Sequence, residues 1–458
     1  MIIAHGRWDV KNSVEAAHCM AEKASTPERK RAGRRPWQQW LLPGLGVKRW
    51  LVLLLLGVTL LGIGLAFVLV EVYQGGYLPP VLDALTLQPV PRPMRAFVLG
   101  AAGLAAAAYA VARLSKELLE PFAPVGRSVA AVVAERRRKR RGPRAVVIGG
   151  GTGMAVLLRG LKEHTSNITA IVTVADDGGS SGRLRRELGV PPPGDLRNCM
   201  AALADDEALL TQLFQYRFGA GGEVQGHSFG NLFITAMTEV TGSFERALAV
   251  SSQVLAIGGR VLPSTLDNVS LMADVRESDQ EPALRVIGES TIPDKKGVIE
   301  RVHLHPQQAS AYPQAVQAIL GANLIVAGPG SLFTSVLPNL LVRDIASAIQ
   351  SSRALCVYVC NVATQQGETD RISVGQHIQI LNAHTGCSLF PIVLANNHCD
   401  DALLPGMEWV TGGENINGAG QVISADVVDE KSPWRHDPEK LATVLLRLLK
   451  NGQPVPKL

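Results

Sequence analysis

The stretch that decides the fold is residues 145–182, AVVIGGGTGMAVLLRGLKEHTSNITAIVTVADDGGSSG. Residues 145–148 and 168–174 are uncharged and rich in β-branched side chains, and a glycine-rich turn follows each of them. An apolar-periodic segment that ends near Leu161 separates them and is typical of a helix. Uncharged strands in a strand–helix–strand order predict a parallel sheet covered on both faces. We therefore expect an α/β fold, a Rossmann-like, mostly parallel sheet with helices on both faces, over residues 144–458.

Ligands of such sheets bind beyond the carboxyl ends of the strands, where both glycine-rich turns fall. Glycines let the backbone approach an anion, and the helix that begins after Thr152 directs its N–H groups and positive dipole end at it. The turn lacks the third spaced glycine of the dinucleotide fingerprint, so a nicotinamide cofactor is not indicated. A tight turn without a ligand is the alternative. The candidate residues are Gly149, Gly150, Gly151, Thr152 and Gly153.

The second turn begins with two adjacent carboxylates, Asp176 and Asp177, at the end of the second strand. Carboxylates at a strand end can bind a ribose hydroxyl or a hydrated Mg²⁺, although both residues are also ordinary turn formers. We interpret them as ligand-binding because they lie beside the first glycine turn. The candidate residues of this turn are Asp176, Asp177, Gly178, Gly179, Ser180 and Ser181.

Two further polar segments precede predicted helices. Residues 191–198 (PPPGDLRN) offer a carboxylate, a phosphate fork and an amide in Asp195, Arg197 and Asn198, or else an Arg–Asp pair that only holds the loop. Residues 226–231 (GHSFGN) place His227 and Asn231 at the edge of a polar pocket, with a purely structural histidine as the alternative.

A second strand–glycine–helix unit follows near the other end of the sheet. Residues 322–326 form a predicted strand that leads into GPGSLFTS, another anion-binding turn. Strands at 355–359 and 392–395 end in asparagines, which extends the polar rim, and a last helix covers 438–449. Two glycine turns on one sheet suit a diphosphate or a nucleotide with a second phosphorylated group. The candidate residues here are Gly328, Pro329, Gly330, Ser331 and Asn361.

Two apolar segments precede this domain. Residues 50–70 carry no charge and are long enough to cross about 30 Å of hydrocarbon as a helix. Residues 96–114 are less hydrophobic, and could instead lie in the interface or pack on the soluble domain; Gly100, Ala101 and Gly103 would let this segment pack closely against the first. Basic residues flank the pair on both outer sides, which predicts two transmembrane helices with both termini in the cytoplasm.

The predicted organisation is a basic cytoplasmic leader (1–49), a membrane anchor (50–114), a basic juxtamembrane linker (115–143) and the nucleotide-binding domain (144–458). The run ERRRKRRGPR contacts anionic lipid headgroups or fixes topology, rather than binding nucleic acid. The six cysteines have neither zinc-type spacing nor the context of a disulfide framework, and no metal site is predicted.

A series of ordered motifs runs through most of the domain: GGGTG, TVADDGGSSGRLR, PPGDLRNCMAAL, FQYRF, GHSFGNL, GPGSLFTSVLPNLLV, VYVCNVATQ-GETD and RHD. Together they closely resemble the YvcK branch of the YvcK/CofD-like family, from about residue 145 to about residue 446. The basic leader and the apolar segments lie outside this resemblance.

The resemblance implies a regulator of cell shape, cell-wall synthesis and gluconeogenic growth that binds UDP-sugars such as UDP-N-acetylglucosamine and requires no cofactor. Arg435 matches the RHD arginine implicated in UDP-sugar binding. The CofD branch implies the alternative, a Mg²⁺-dependent phospholactyl transferase, and Asp195 falls nearest its acceptor-holding aspartate. Pro438 stands where some relatives have a phosphorylatable threonine, which argues against that control here. We expect a homo-oligomeric, multi-pass protein of the inner membrane that contacts lipids, with its domain in the cytoplasm.

Overall fold

The computed structural model describes residues 47–73, 91–119 and 129–451, apart from 205–206, 220, 223, 279, 281, 296, 401 and 413–419. The chain divides into two compact units, Met1–Val133 and Ala134–Leu458. The predicted leader up to residue 46 and the loop at 74–90 lie outside the described residues.

The strands are β1 (Ala145–Gly149), β2 (Ile168–Val172), β3 (Arg260–Pro263), β4 (Ser270–Arg276), β5 (Leu284–Ile287), β6 (Val298–His305), β7 (Leu324–Ala327), β8 (Leu355–Val359), β9 (Ile392–Asn396), β10 (Gln421–Ala425), β11 (Val428–Asp429) and β12 (Ser432–His436). The helices are α1 (Val47–Tyr73), α2 (Arg92–Leu119), α3 (Val129–Arg140), α4 (Gly151–Leu161), α5 (Gly179–Leu188), α6 (Gly194–Leu203), α7 (Glu207–Gln215), α8 (Phe229–Thr241), α9 (Phe244–Val254), α10 (Pro313–Leu320), α11 (Leu337–Leu340), α12 (Arg343–Ser351), α13 (Val374–Thr385) and α14 (Pro438–Lys450).

The N-terminal unit contains α1 and α2, which pack against each other through small residues. A Cβ atom on Gly57 would lie 2.9 Å from the backbone nitrogen of Ala107, and one on Gly103 would lie 2.7 Å from the carbonyl oxygen of Gly57. The helices therefore touch backbone to backbone, as predicted for Gly103. Gly100 does not make the expected close contact, because no heavy atom of α1 lies within 4 Å of its Cβ position.

The two-span prediction for these helices stays a prediction. Among the described residues, no single helix is both long and apolar enough to be assigned as a span, and the apolar parts of α1 and α2 cover only Val52–Phe67 and Gly100–Leu114. One bent pair, Leu332–Leu340 with Arg343–Ser351, satisfies these criteria when its helices are taken together.

The main sheet has seven parallel strands in the order β10-β9-β8-β7-β1-β2-β3, which confirms the predicted α/β class and parallel sheet. All five residues of β1 and all five of β2 are buried, as expected for uncharged strands with covered faces. Ala145 pairs with Ile168 on β2 and with Leu324 on β7, so β1 lies in the middle of the sheet. Right-handed crossovers in opposite directions from this centre place α4 and α12 on opposite faces.

Three smaller elements were not anticipated from the sequence. β5, β4 and β6 form an antiparallel sheet, and β11 and β12 form a hairpin before α14. Part of the predicted linker is helical: most of the arginine-rich run lies on α3. The last turn of α3 is held to the loop after α4 by the Lys139–Glu163 ion pair, whose atoms are 3.2 Å apart.

Candidate functional site

The direction in which the chain adds strands reverses between the neighbours β1 and β7. From β1 the chain proceeds to β2 and β3 on one side, and from β7 it proceeds to β8, β9 and β10 on the other. Loops that follow two strands at such a point diverge, and α/β sheets bind ligands in the crevice between them. The loops after β1 and β7 are the two glycine-rich turns predicted to bind an anion.

These two turns are in direct contact. A Cβ atom on Gly153 would lie 2.8 Å from the carbonyl oxygen of Pro329, and one on Gly330 would lie 3.4 Å from the carbonyl oxygen of Gly150. Gly328 N–H donates to the carbonyl of Ile148 at 2.8 Å. The predicted residues of both turns therefore share one edge of the sheet. They pack too closely at Gly153 for a phosphate to sit between them, so a ligand must lie above the junction.

The first turn already holds an anion of the protein itself. The Asp195 carboxylate accepts a hydrogen bond from Gly151 N–H, and its Oδ2 would lie 2.5 Å from a Cβ atom on Gly150. Glycine at position 150 is thus required by the approach of a carboxylate. The sequence offered the Asp195 carboxylate as a ligand-binding group, and the structure shows that it accepts a hydrogen bond at the start of α4.

The glycine turn at 328–331 is connected by hydrogen bonds to the loop after β8. Gln365 donates to the Ser331 hydroxyl at 2.9 Å, and Asn361 donates to the Gln365 side chain at 3.0 Å. Asn361 therefore reaches the second glycine turn through one intermediate side chain. The helix predicted after this turn differs from the expectation, because Leu332–Val336 form a π-helical turn that leads into α11, a single helical turn. Glu368 accepts from the Thr334 hydroxyl in this segment at 3.0 Å.

Asp176 and Asp177 have different roles. The Asp176 carboxylate accepts from Gly178 N–H at 2.9 Å and faces the start of α6, where a Cβ atom on Gly194 would lie 2.9 Å from its Oδ2. Asp177 turns away and accepts from Ser290 N–H at 2.9 Å. Asp176 thus faces the other candidate residues, whereas Asp177 holds the short 3-10 helix Glu289–Thr291 after β5.

Ser180 and Ser181, in the turn at 176–182, connect α5 to α8 by hydrogen bonds. Ser180 Oγ is 2.9 Å from His227 Nδ1, and Asn231 Nδ2 donates to Ser180 at 3.0 Å and to Ser181 at 3.4 Å. All four side chains are buried. Burial and the nearby Arg183 lower the pKa of His227, so the imidazole is neutral at neutral pH. His227 and Asn231 thus pack against the glycine–serine turn, and their place at the edge of a ligand pocket stays a prediction.

Arg197 is buried beside the same network. It donates to the Ser228 hydroxyl, and to the Asn198 side chain at 2.9 Å. Burial and Arg217 lower its pKa, whereas Asp195 and Asp176 raise it. Asn198 is thus a partner of Arg197, and Arg197 lies close enough to both aspartates to offset part of their charge.

Four helices begin in this region. Asp195, in the first turn of α6, accepts from the first residue of α4. Ser180 and Ser181, in the first turn of α5, contact Asn231 in the first turn of α8. Each helix start presents N–H groups without partners inside the helix, together with the positive end of its dipole. Each of these helix starts favours an anion, and the Asp195 carboxylate already supplies one at the start of α4.

Buried polar atoms around the site lack partners. Within the described residues, Arg197 Nε, Asn231 Oδ1 and Asn361 Oδ1 are buried and make no hydrogen bond. An unsatisfied buried polar atom costs about 1–3 kcal/mol, so such atoms are rare unless a ligand or water completes them. Both sides of the crevice therefore have unused hydrogen-bonding capacity.

Carboxyl groups that repel one another collect at the same edge. Burial and the nearby Asp176 raise the pKa of Asp195 to about 6. Burial, followed by Asp176, Asp195, Glu368 and Asp177, raises the pKa of Glu289 to about 8. Burial also raises the pKa values of Asp176 and Glu368. At neutral pH Glu289 is therefore largely protonated and can donate a hydrogen bond, which an ionised carboxylate cannot do.

Arg435 lies on β12, exposed to solvent. Its neighbour His436 is buried and donates through Nε2 to the carbonyl of Cys360, directly after β8, at 3.1 Å. Burial lowers the pKa of His436 to about 4, so this histidine is neutral and structural. The RHD segment is thus fixed at the carboxyl ends of the strands, and the structure shows no contact of Arg435 with the glycine turns.

Sequence reasoning missed Glu289, Glu368, Gln365 and Ser228. Glu289 lies on a connection of the small antiparallel sheet, and nothing local marks it as part of a distant crevice. Glu368 and Gln365 lie within the GETD-containing motif, whose sequence gives no local sign of their contacts with Thr334 and Ser331. The described residues contain no group of three or more His, Cys, Asp or Glu side chains arranged to hold a metal ion.

Comparison with known proteins places this geometry in a family. The family description "2-phospho-L-lactate transferase CofD" matches residues 145–448. The crystal structure of a UPF0052-family protein from Bacillus halodurans is 43% identical in sequence, with a TM-score of 0.62. It covers 67% of this chain and 99% of its own, so in that protein the domain folds without a counterpart of the N-terminal region.

Two relatives define the branch. The gluconeogenesis factor of Bacillus subtilis is 45% identical over 318 residues, which cover 67% of this chain and 98% of its own. A relative from Nostoc sp. is 45% identical over 433 residues, covering 90% of this chain and 92% of its own. That coverage exceeds what residues 145–458 can supply, so the similarity extends into the N-terminal region, contrary to expectation. The chain therefore belongs to the CofD/UPF0052 family and, within it, to the gluconeogenesis factor branch.

Proposed function

We propose that this chain binds a nucleotide sugar of the UDP-N-acetylglucosamine class at the carboxyl edge of its parallel sheet and acts as a regulator. The observation that carries the proposal is the convergence of four helix starts where the two glycine turns meet. Such a site favours a diphosphate, because helix N-termini bind oxyanions through N–H groups and the dipole. The orphaned polar atoms of Arg197, Asn231 and Asn361 supply further donors and acceptors.

The carboxyl groups suit the sugar part of the ligand. The carboxyl oxygens of Asp176 and Asp195 can accept hydrogen bonds from hydroxyl groups, and protonated Glu289 can donate one. The helix starts and Arg197 would face the diphosphate, and Arg435, on the same edge, would reach it as a planar two-pronged donor. A nucleotide sugar offers both chemistries in one molecule, which fits a site that pairs oxyanion donors with hydroxyl acceptors.

A transferase of the CofD type is the second candidate, favoured by the matched family description and by the carboxyl groups at the nucleotide edge. In this reading Asp195 would hold the acceptor. The described carboxylates are not arranged as a metal site, so no step is assigned to Mg²⁺.

A thermal-shift panel separates the two functions. The full chain is heated with UDP-N-acetylglucosamine, UDP-glucose, GDP and GTP, with and without Mg²⁺. The regulator is expected to gain stability from UDP-sugars alone, by about 2.7 kcal/mol at a ligand concentration of 100 times Kd. The UDP-sugar is expected to remain intact after long incubation. Stabilisation by guanine nucleotides alone, or release of a nucleotide product, contradicts the proposal and favours the transferase.

We also propose that α1 and α2 hold the protein in the cytoplasmic membrane, with the domain in the cytoplasm. The two helices contact each other through glycine, while Leu55, Phe97 and Leu104 on their outer surfaces are exposed. Apolar outer surfaces around an interface of small residues are typical of helix pairs in lipid. The basic residues on both sides of the pair favour cytoplasmic termini. Homo-oligomerisation stays a prediction.

A further inference from the structure

A cavity of about 480 Å³ lies at the amino edge of the main sheet, at the opposite ends of the strands from the glycine turns. Arg144 precedes β1 and Arg260 begins β3, and these two strands flank β2. Val146, Thr169 and Arg260 are in register across the three strands, and Arg144 precedes Val146 by two residues. Side chains alternate along a strand, so both arginines project from the same face of the sheet.

The cavity is polar and carries positive charge. Arg260 donates to the Thr169 hydroxyl at 3.1 Å, and Ser166, Asn167 and Gln317 add polar groups to the wall. None of the residues that line the cavity is acidic. Within the described residues, neither arginine makes an ion pair. Two guanidinium groups beside amide and hydroxyl groups match the oxygens of a phosphate.

The same wall holds the basic helix α3 in place. Ser166 N–H donates to the carbonyl of Lys139 at 3.0 Å, and Asn167 Nδ2 donates to the carbonyls of Arg140 and Gly142 at 2.9 and 2.8 Å. Residues 134–144 contain seven basic side chains and one acidic side chain, and Arg136, Arg137, Arg138, Arg140 and Arg141 are exposed. The cavity and the end of α3 therefore form one continuous basic surface, here named the amino-edge surface.

We propose that the amino-edge surface is a second anion site, separate from the nucleotide-sugar site, and that it binds the phosphate of an anionic membrane lipid. A lipid fits better than a free phosphate because the basic residues extend from the cavity along α3. An extended row of basic residues can contact many headgroups of a charged membrane, whereas a site for one free phosphate would enclose that ion. Basic residues near an anionic membrane contribute about 1 kcal/mol each to binding. The surface would orient the domain with its nucleotide-sugar edge away from the lipid.

The test uses residues 129–458, which omit the two apolar helices and retain α3. The Bacillus halodurans structure shows that a domain of this kind folds without the N-terminal region. Flotation is measured with vesicles of phosphatidylcholine alone and with vesicles that contain 30 mol% phosphatidylglycerol. The cavity variant is Arg144→Ala with Arg260→Ala, and the matched control is Arg246→Ala, an exposed arginine at the start of α9. Glycerol phosphate and a short RNA are titrated in parallel.

The wild-type fragment is expected to float with anionic vesicles and not with neutral ones. The double variant should lose about 30-fold in affinity, which corresponds to about 1 kcal/mol for each arginine, and the control should lose less than about 3-fold. Equal losses in variant and control, saturation by glycerol phosphate without vesicle binding, or preference for RNA would each overturn the proposal. Stabilisation by UDP-N-acetylglucosamine must be unchanged in the double variant, which separates this failure from failure of the nucleotide-sugar site.

Discussion

Asp195 and Glu289 make the stability of the ligand-free domain depend on pH. Their pKa values are raised from 3.8 to about 6 and from 4.5 to about 8. The folded state therefore holds these protons more tightly than the unfolded chain. The stabilisation is complete below about pH 4 and is lost as pH rises through 6 and then 8. We expect the melting temperature to fall between pH 5 and pH 8.5, by about 5 °C.

Substitution separates the two carboxyl groups. Asp195→Asn should remove about 2 kcal/mol of the fall in unfolding free energy between pH 4 and 6, and Glu289→Gln should flatten the fall between about pH 4.5 and 8. Thermal unfolding at half-unit pH steps measures both. Glu277→Gln, at an exposed carboxylate directly after β4, is the control and should leave the curve unchanged. A wild-type melting temperature that rises steadily from pH 5 to pH 8.5 would refute the raised pKa values.

Gly153 tests whether contact between the glycine turns matters for binding. Its Cβ position lies 2.8 Å from the Pro329 carbonyl oxygen, so Gly153→Ala must push the two turns apart. We expect the affinity for UDP-N-acetylglucosamine to fall at least about 10-fold, with a stability loss of about 1–3 kcal/mol. In Gly219→Ala, no heavy atom lies within 4 Å of the new methyl group, and binding should be unchanged. Calorimetric titration measures the affinity of both variants for UDP-N-acetylglucosamine. Equal affinities in Gly153→Ala and Gly219→Ala would count against a ligand site at the junction of the two turns.

At the level of elements, Asp177 links the turn at 176–182 to the small antiparallel sheet. Asp177→Ala removes the acceptor of Ser290 N–H and releases the segment that carries Glu289. We expect faster hydrogen exchange at residues 288–292 and affinity for the UDP-sugar that is about 5-fold weaker, with the main sheet unaffected. Asp177→Asn keeps an acceptor oxygen and should behave like the wild type. Unchanged exchange in the alanine variant would show that Asp177 holds nothing there.

Some elements of the fold could be predicted from the sequence and others could not. β1 and β2 were predictable because uncharged β-branched runs beside glycine turns are typical of buried parallel strands. The small sheet was missed because Leu271, Ala273 and Val275 are buried at alternate positions of β4 but Met272 between them is also apolar, so the sequence shows no clear apolar–polar alternation. Asp176 and Asp177 look alike in sequence, and only tertiary contacts direct the first to the crevice and the second to Ser290.

For the whole molecule, the proposed membrane anchor can be tested by chemical labelling of the loop between α1 and α2. Gln74→Cys, in the predicted outside loop, should react with a membrane-impermeant thiol reagent applied to intact cells. Gly57→Leu should reduce this labelling, because the leucine side chain would collide with the backbone of α2. We expect insertion of α2, the less hydrophobic helix, to depend on this close packing against α1. Gly62→Leu is the matched control, since nothing lies within 4 Å of its Cβ position. Absence of labelling in the otherwise wild-type chain contradicts the two-span topology.

The central claim is that one nucleotide sugar binds across the junction of the two glycine turns. Hydrogen–deuterium exchange of the full chain with saturating UDP-N-acetylglucosamine tests it most directly. The account predicts slower exchange in residues 149–154, 176–182 and 328–333 together, and no change around Arg144 and Arg260. Protection of only one turn, or protection confined to the amino edge, would contradict it.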